Sequence, residues 1–192
     1  INNLFFPDMN KIKKFPRLIF YLIFSSTSYL SANMIYDFKE NSNLEGWYVI
    51  DDNVMGGQSY GSLKLDEKGN GVFTGNISLR NYGGFSPLRF RKKKNDVRNY
   101  QFIKIKVKGD NKYYQIRIKS RSYDRHSYTK KIFVTNTWNV IKVPLSSMIP
   151  QFRGRNLRMD NFNGNFISEF GILVGNKTEE RFSLLIDYIT LE

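Results

Sequence analysis

Gln101-Phe-Ile-Lys-Ile-Lys-Val-Lys108, the break Gly109-Asp-Asn111, and then Tyr114-Gln-Ile-Arg-Ile-Lys119 form the stretch whose reading decides the fold. Ile103, Ile105 and Val107 alternate with Lys104, Lys106 and Lys108. An extended chain with this pattern has one apolar face and one charged face. Tyr114, Ile116 and Ile118 alternate with Gln115, Arg117 and Lys119 in the same way. The helical period would scatter these residues around an axis, whereas a period of two sorts them cleanly. Gly109-Asp-Asn111 supplies turn chemistry between the runs. The spacing predicts two strands, each with one wet face, joined as a β-hairpin.

Similar short runs lie to either side. Strands are predicted at 34–38, 47–50, 63–65 and 71–79, the last two flanking the turn Asp66-Glu-Lys-Gly-Asn70. Further strands are predicted at 128–135 and 138–143, joined by Asn136-Thr137, and at 169–174 and 182–191. Only residues 145–149, bracketed by Pro144 and Pro150, suggest a helical turn. Regularly spaced strands without a sustained helical period predict an all-β sandwich or barrel.

The composition suits one packed domain. The chain has 192 residues, 41% of them hydrophobic and 16% aromatic, which excludes a globally disordered polypeptide. It contains no cysteine. That excludes disulfides, thiolate zinc sites, a cysteine nucleophile and a lipid-modified cysteine anchor.

Met9 is followed by Lys11, Lys13, Lys14 and Arg17, an apolar run over 18–24, and small residues up to Ala32. This order reads as a secretory signal peptide over 9–32, with 1–8 upstream of the true start and a single domain over 33–192. The expected location is therefore periplasmic or secreted, a retained membrane anchor being the alternative. The net charge is +13, and residues 33–192 retain +10 of it, because the first 32 hold four Lys or Arg and one Asp. Such a charge favours anionic partners: an anionic membrane surface, acidic glycans or acidic protein faces. Export argues against nucleic acid.

The least ordinary segment is Trp47-Tyr-Val-Ile-Asp-Asp-Asn-Val-Met-Gly-Gly-Gln-Ser59. Asp51 and Asp52 could cap loop amides or hold a cation, while Met55, Gly56, Gly57 and Ser59 complete a loop that a strand would not tolerate. A second diglycine lies in Asn81-Tyr-Gly-Gly-Phe-Ser86, and a third glycine-bearing stretch is Phe152-Arg-Gly-Arg155. A rigid loop that merely turns the chain is an equally good reading of each.

The strings Asp52-Asn-Val-Met-Gly-Gly-Gln-Ser59, Phe73-Thr-Gly75, Gly83-Gly84-Phe85, Val107-Lys-Gly-Asp110, Trp138 with Pro144, and Arg153-Gly-Arg155 occur in one order over residues 34–192. Together they resemble the family of complex I intermediate-associated protein 30. The resemblance implies a jelly-roll β-sandwich of the galactose-binding-like type. It implies a non-enzymatic, assembly-factor-like role exercised through a protein partner of NADH:ubiquinone oxidoreductase. The binding residues it implies are Asp51, Asp52, Met55, Gly56, Gly57, Ser59, Gly83, Gly84, Phe85, Arg153 and Arg155.

Two other classes stay open at this stage. A carbohydrate-binding module would use aromatic platforms, for which Tyr113, Tyr114, Tyr123, Tyr128 and Trp138 are candidates, with Arg117 and Arg121 beside them. No cofactor is expected beyond a possible structural calcium ion on Asp37 and Asp187, near the two ends of the domain. An enzyme is the weakest reading. The chain has one histidine, His126, set between Arg125 and Ser127. Asp51 and Asp52 would also point to opposite sides if they lay on a strand. The basic run Arg89-Phe-Arg-Lys-Lys-Lys94 could steer the protein to an anionic surface or serve as a solvated edge.

Overall fold

The structure is a computed structural model and describes residues 33–39, 43–50, 57–91 and 94–192. In chain order its strands are β1 (Asn33–Asp37), β2 (Trp47–Val49), β3 (Tyr60–Leu65), β4 (Gly71–Ile77), β5 (Ser86–Phe90), β6 (Asn95–Asp96), β7 (Phe102–Lys108) and β8 (Lys112–Lys119). They continue as β9 (Ser127–Val134), β10 (Asn139–Pro144), β11 (Ile149–Phe152), β12 (Arg155–Asn156), β13 (Phe166–Ile167), β14 (Glu169–Val174) and β15 (Glu180–Leu191). One antiparallel sheet runs β10-β7-β15-β4-β3, with β1 also on β15. The second runs β12-β11-β9-β8-β14-β5-β2, and β6 with β13 makes a small third. The two large sheets stack into the expected sandwich.

The predicted hairpin is corrected. β7 lies in the first sheet between β10 and β15, whereas β8 lies in the second between β9 and β14. Alternation along two runs says that each has an apolar face. It does not say whether those faces lie side by side or oppose each other across a core. Here Ile103, Ile105 and Val107 of β7 and Tyr114, Ile116 and Ile118 of β8 are all buried in one core, and Gly109-Asp-Asn111 arches from sheet to sheet. Asp110 fixes the arch: one carboxylate oxygen accepts from the Tyr114 hydroxyl at 2.8 Å, the other from the Ser183 amide of β15 at 2.9 Å. The connection from β9 to β10 is a second arch. It leans on the first through Gly109 N donating to Thr135 O at 2.7 Å and Asn136 N donating to the Asn111 side chain at 3.1 Å.

Other expectations hold. β3 and β4 pair around the predicted turn, where Asp66 Oδ1 accepts from the amides of Lys68 and Asn70. Leu145–Ser147 makes one 3-10 turn just after Pro144. β5 went unrecognised because Pro87 argues against a paired strand, having no amide to donate. Pro87 instead contributes its carbonyl, which accepts from Ile50 N at 3.1 Å.

β15 carries a bulge between Ile186 and Tyr188. Leu184 and Ile186 face the core before it, and Ile189 and Leu191 after it, so the apolar phase shifts by one residue there. One edge of β15 pairs with β4 before the bulge and with β1 after it. Tyr36, Phe38, Trp47 and Phe90 close that end of the core, with ring centroids 4.7–5.4 Å apart. Each such side chain, fully buried, contributes about 1.5–3 kcal/mol.

Candidate functional site

The two diglycine strings meet at one hydroxyl. Ser59, only 1% exposed, donates through Oγ to the Ser78 carbonyl at 3.1 Å. The same oxygen accepts from the Ser78 amide at 3.1 Å and from the Gly84 amide at 3.3 Å. The end of the first loop is thus tied both to the exit of β4 and to the Gly83-Gly84-Phe85 loop. Gly84 has φ +115°, a conformation that side chains other than hydrogen rarely adopt. Phe85 beside it is 39% exposed, and Leu79 is 45% exposed. Gly57 is buried. Asp51, Asp52, Met55 and Gly56 lie outside the described residues, as do residues 9–32, expected to be a signal peptide. A cleft of about 440 Å³ opens next to this knot, lined by Gln58, Asn76, Ser78, Arg80, Glu180 and Arg181 among others.

Arg153 and Arg155 do not join this cluster. Arg153 has φ 47° in the turn between β11 and β12, and Arg155 lies on β12, at the opposite edge of the second sheet from β5 and β2. Both are exposed.

A second polar constellation lies on the outer face of the second sheet. Arg89, Gly171 and Arg117 are direct neighbours across β5, β14 and β8. Two residues along on the same face, Glu169 pairs with Lys119. Glu169 is only 6% exposed, and its carboxylate takes the Arg91 guanidinium, the Tyr48 hydroxyl at 3.3 Å and Arg89 Nη1 at 3.5 Å. Desolvation pushes the Tyr48 hydroxyl above its ordinary pKa, and the nearby Glu169 charge adds to that. The basic run is therefore no uniform solvated edge: Arg89 and Arg91 are drawn onto the sheet, and Lys94 sits 3.7 Å over the Phe166 ring. Tyr48 and Glu169 were not singled out from the sequence. Glu169 did leave a signal, as a lone acid opening an otherwise apolar strand.

Of the two residues expected as calcium ligands, Asp187 is ion-paired and Asp37 accepts a backbone amide. Asp187 Oδ2 receives Lys106 Nζ at 2.7 Å and Lys39 Nζ at 3.0 Å, while Asp37 Oδ1 accepts from the Lys39 amide at 2.8 Å. Two ammonium groups already supply the charge that a calcium ion would bring, and calcium takes six to eight oxygens. Among the described residues no three His, Cys, Asp or Glu side chains converge. Burial works to raise the Asp187 pKa, but hydrogen bonds from Lys106 and Lys39 outweigh it and hold the carboxyl below its ordinary 3.8. A carboxyl depressed by folding adds stability that is complete above its unfolded pKa and drains as pH falls through the folded one. Asp187→Asn is therefore expected to lower the melting temperature at pH 7, with the gap to the parent closing toward pH 3. A gap that stays constant with pH would show that the carboxylate's charge is not what matters.

The remaining aromatic candidates divide. Tyr114 is core, and desolvation together with Asp110 drives its hydroxyl far above the ordinary pKa. Tyr128 is half-buried against Phe162. Tyr123 is 75% exposed, Tyr113 48% and Trp138 39%. His126 packs edge-on to Tyr128.

Comparison with known proteins follows from this geometry. The structure resembles the family 11 carbohydrate-binding module of Clostridium thermocellum, solved with a β-1,3-1,4-mixed-linked tetrasaccharide, at TM-score 0.57 and 16% identity, over 83% of this chain and 94% of that one. It also resembles part of an agarase, at TM-score 0.58 and 12% identity, over 84% of this chain and 24% of that one. These likenesses establish the jelly-roll fold and nothing further. In sequence, the chain is 26% identical over 186 residues to the Drosophila melanogaster "Complex I intermediate-associated protein 30, mitochondrial", covering 84% of this chain and 63% of the relative. It is 28% identical over 181 residues to a Caenorhabditis briggsae protein named as a probable counterpart, covering 82% of this chain and 53% of the relative. The chain thus spans between about half and two thirds of the relatives' length.

These relatives are mitochondrial by name, which overturns the expectation of a periplasmic or secreted protein. A basic stretch free of acids, such as 9–32, is common to secretory and mitochondrial leaders, so charge alone could not separate them. The family model for complex I intermediate-associated protein 30 matches residues 36–186, which takes in Ser59, Gly84 and both sheets. From the knot at Ser59 to the last strand, the chain belongs to the complex I intermediate-associated protein 30 (CIA30) family.

Proposed function

We propose that the domain is a non-catalytic docking module that acts in the assembly of mitochondrial complex I by binding a protein partner. The observation that carries this reading is the extent of the family likeness. It runs through the whole sandwich and includes the buried hydroxyl that joins the two loop motifs. A fixed loop end and charged sheet faces give a partner a preorganised surface, which lowers the entropic cost of binding.

The carbohydrate-module reading has less support. A pyranose needs a free aromatic face. Lys131 Nζ sits 4.2 Å over the Tyr113 ring and Phe133 packs against its edge at 5.1 Å.

The experiment is native-gel separation of detergent-solubilised mitochondria that express the tagged full chain. Co-migration with a subassembly shown by mass spectrometry to contain NADH:ubiquinone oxidoreductase subunits is the expected result. Migration only as free protein, with saturable retention on a glycan array, would replace this reading by the carbohydrate one.

A further inference from the structure

Among the described residues, the outer face of the second sheet carries more positive than negative charge around β5, β14 and β8. Arg89, Arg91, Arg117 and Lys119 surround one buried carboxylate, Glu169. Glu169 is engaged by Arg91, Arg89 and Tyr48. Lys119 rests its ammonium on the Asp124 carbonyl at 2.7 Å. The half-buried Arg117 guanidinium donates to a neutral acceptor, Gln115 Oε1, at 2.9 Å. Burial lowers the Arg117 pKa and the neighbouring Arg89 lowers it further, while the Glu169 charge opposes them only in part. Holding a partly desolvated cation on an amide is costly unless an anion comes to it.

Between Arg89 and Arg117 the sheet presents only Gly171. A Cβ built there would stand 3.0 Å from the Leu88 carbonyl, 3.8 Å from Arg89 Cγ and 3.9 Å from Arg117 Cβ, so the buried glycine leaves only a shallow slot between the stems of the two arginines. Four residues along β8 from Arg117, roughly 13 Å at the rise of a strand, Tyr113 and Phe133 form a half-exposed aromatic ledge with Lys131 Nζ lying over the Tyr113 ring.

We infer that this face is a docking surface for an acidic polypeptide segment, one carboxylate of which lies over the shallow slot at Gly171 and is held by Arg89 and Arg117. The inference deepens the assembly reading and rests on it. The planar guanidinium fork matches a carboxylate. Arginine and tyrosine are the residue types that dominate protein–protein hot spots. A membrane surface fits less well, because the guanidiniums are recessed on the sheet instead of standing proud of it. An extended segment of four or five residues would span ledge and slot together.

The test uses a fluorescein-labelled Glu-rich decapeptide with one central Phe, read by fluorescence anisotropy against the full chain. R89Q/R117Q is compared with K64Q/K68Q, which removes the same charge from exposed positions on and just after β3. The expected result is binding weakened at least tenfold in R89Q/R117Q and less than twofold in K64Q/K68Q. Equal weakening in both, or none in R89Q/R117Q, overturns the inference, since the peptide then responds to net charge alone. Binding confined to phosphatidylserine vesicles overturns it in favour of a membrane. Arg89→Glu provides a second variant should Arg117→Gln fail to melt cooperatively, and the same tenfold loss is expected of it. The native gel separates the two readings. Co-migration by both parent and R89Q/R117Q sinks the slot and leaves the assembly role standing, whereas no co-migration by the parent sinks the assembly role itself.

Discussion

Gly75→Ala is expected to destabilise the domain by about 3 kcal/mol or more, at the upper end of what overpacking costs. Gly75 lies in the middle of β4, opposite Gly61 on β3 and Phe182 on β15. A Cβ at this position would come within 2.1 Å of the Tyr60 backbone carbonyl and 2.7 Å of the Phe182 ring. A ring can rotate away, but a ladder carbonyl moves only if β3 moves. Since a domain of this kind has about 5–15 kcal/mol in hand, a large share of its stability should vanish. The denaturation midpoint in guanidinium chloride, with the slope unchanged, is the measurement. A variant that keeps the parent midpoint would show that β3 and β4 have room between them. The result would also explain why glycine closes the Phe73-Thr-Gly75 string: it is a packing requirement and needs no ligand.

Ser59→Ala should cost about 2–4 kcal/mol, because it strands several buried polar groups at once. The Ser78 amide and the Gly84 amide lose their acceptor, and the Ser78 carbonyl loses its donor. Each buried group left without a partner costs on the order of 1–3 kcal/mol. The loss should also appear locally, as faster amide exchange at Gly84 than in the strands, since the bond that ties the Gly-Gly-Phe loop to the first loop is gone. Equal exchange across the loop end and the core would mean that the hydroxyl contributes only to global stability. The same variant should weaken co-migration with complex I subunits if a fixed loop end is part of what the partner reads.

The fold class was legible because period two is a local property: each side chain reports its own face, as Ile103 through Lys108 do. The bulge on β15 shows as a phase shift between Ile186 and Ile189, but the expected strand over 182–191 did not include it. Pairing was legible for β3 and β4, which a tight turn joins, and not for β7 and β8. Whether β8 lies beside β7 or across from it depends on which neighbours complete each ladder, and these come from β10, β15, β9 and β14, distant in sequence.

The candidate site divides along the same line. Ser59, Gly84 and Phe85 were visible as glycine-rich strings, because unusual backbone needs unusual residues. Their meeting at one oxygen joins residues 25 apart, and only the stacking of β4 and β5 on their sheets brings it about. Asp37 and Asp187 looked like oxygen ligands while their surroundings were unknown. In the structure Lys39 and Lys106 pair with Asp187, while Asp37 accepts the Lys39 amide. Arg89, Arg117 and Glu169 lie in three strands and share no motif, so no spacing reveals them. The sequence by itself determined strands, faces, turns and family, since these follow from the order of side chains along one chain. The tertiary structure decided which charges are neighbours, since Coulomb forces and desolvation act through space.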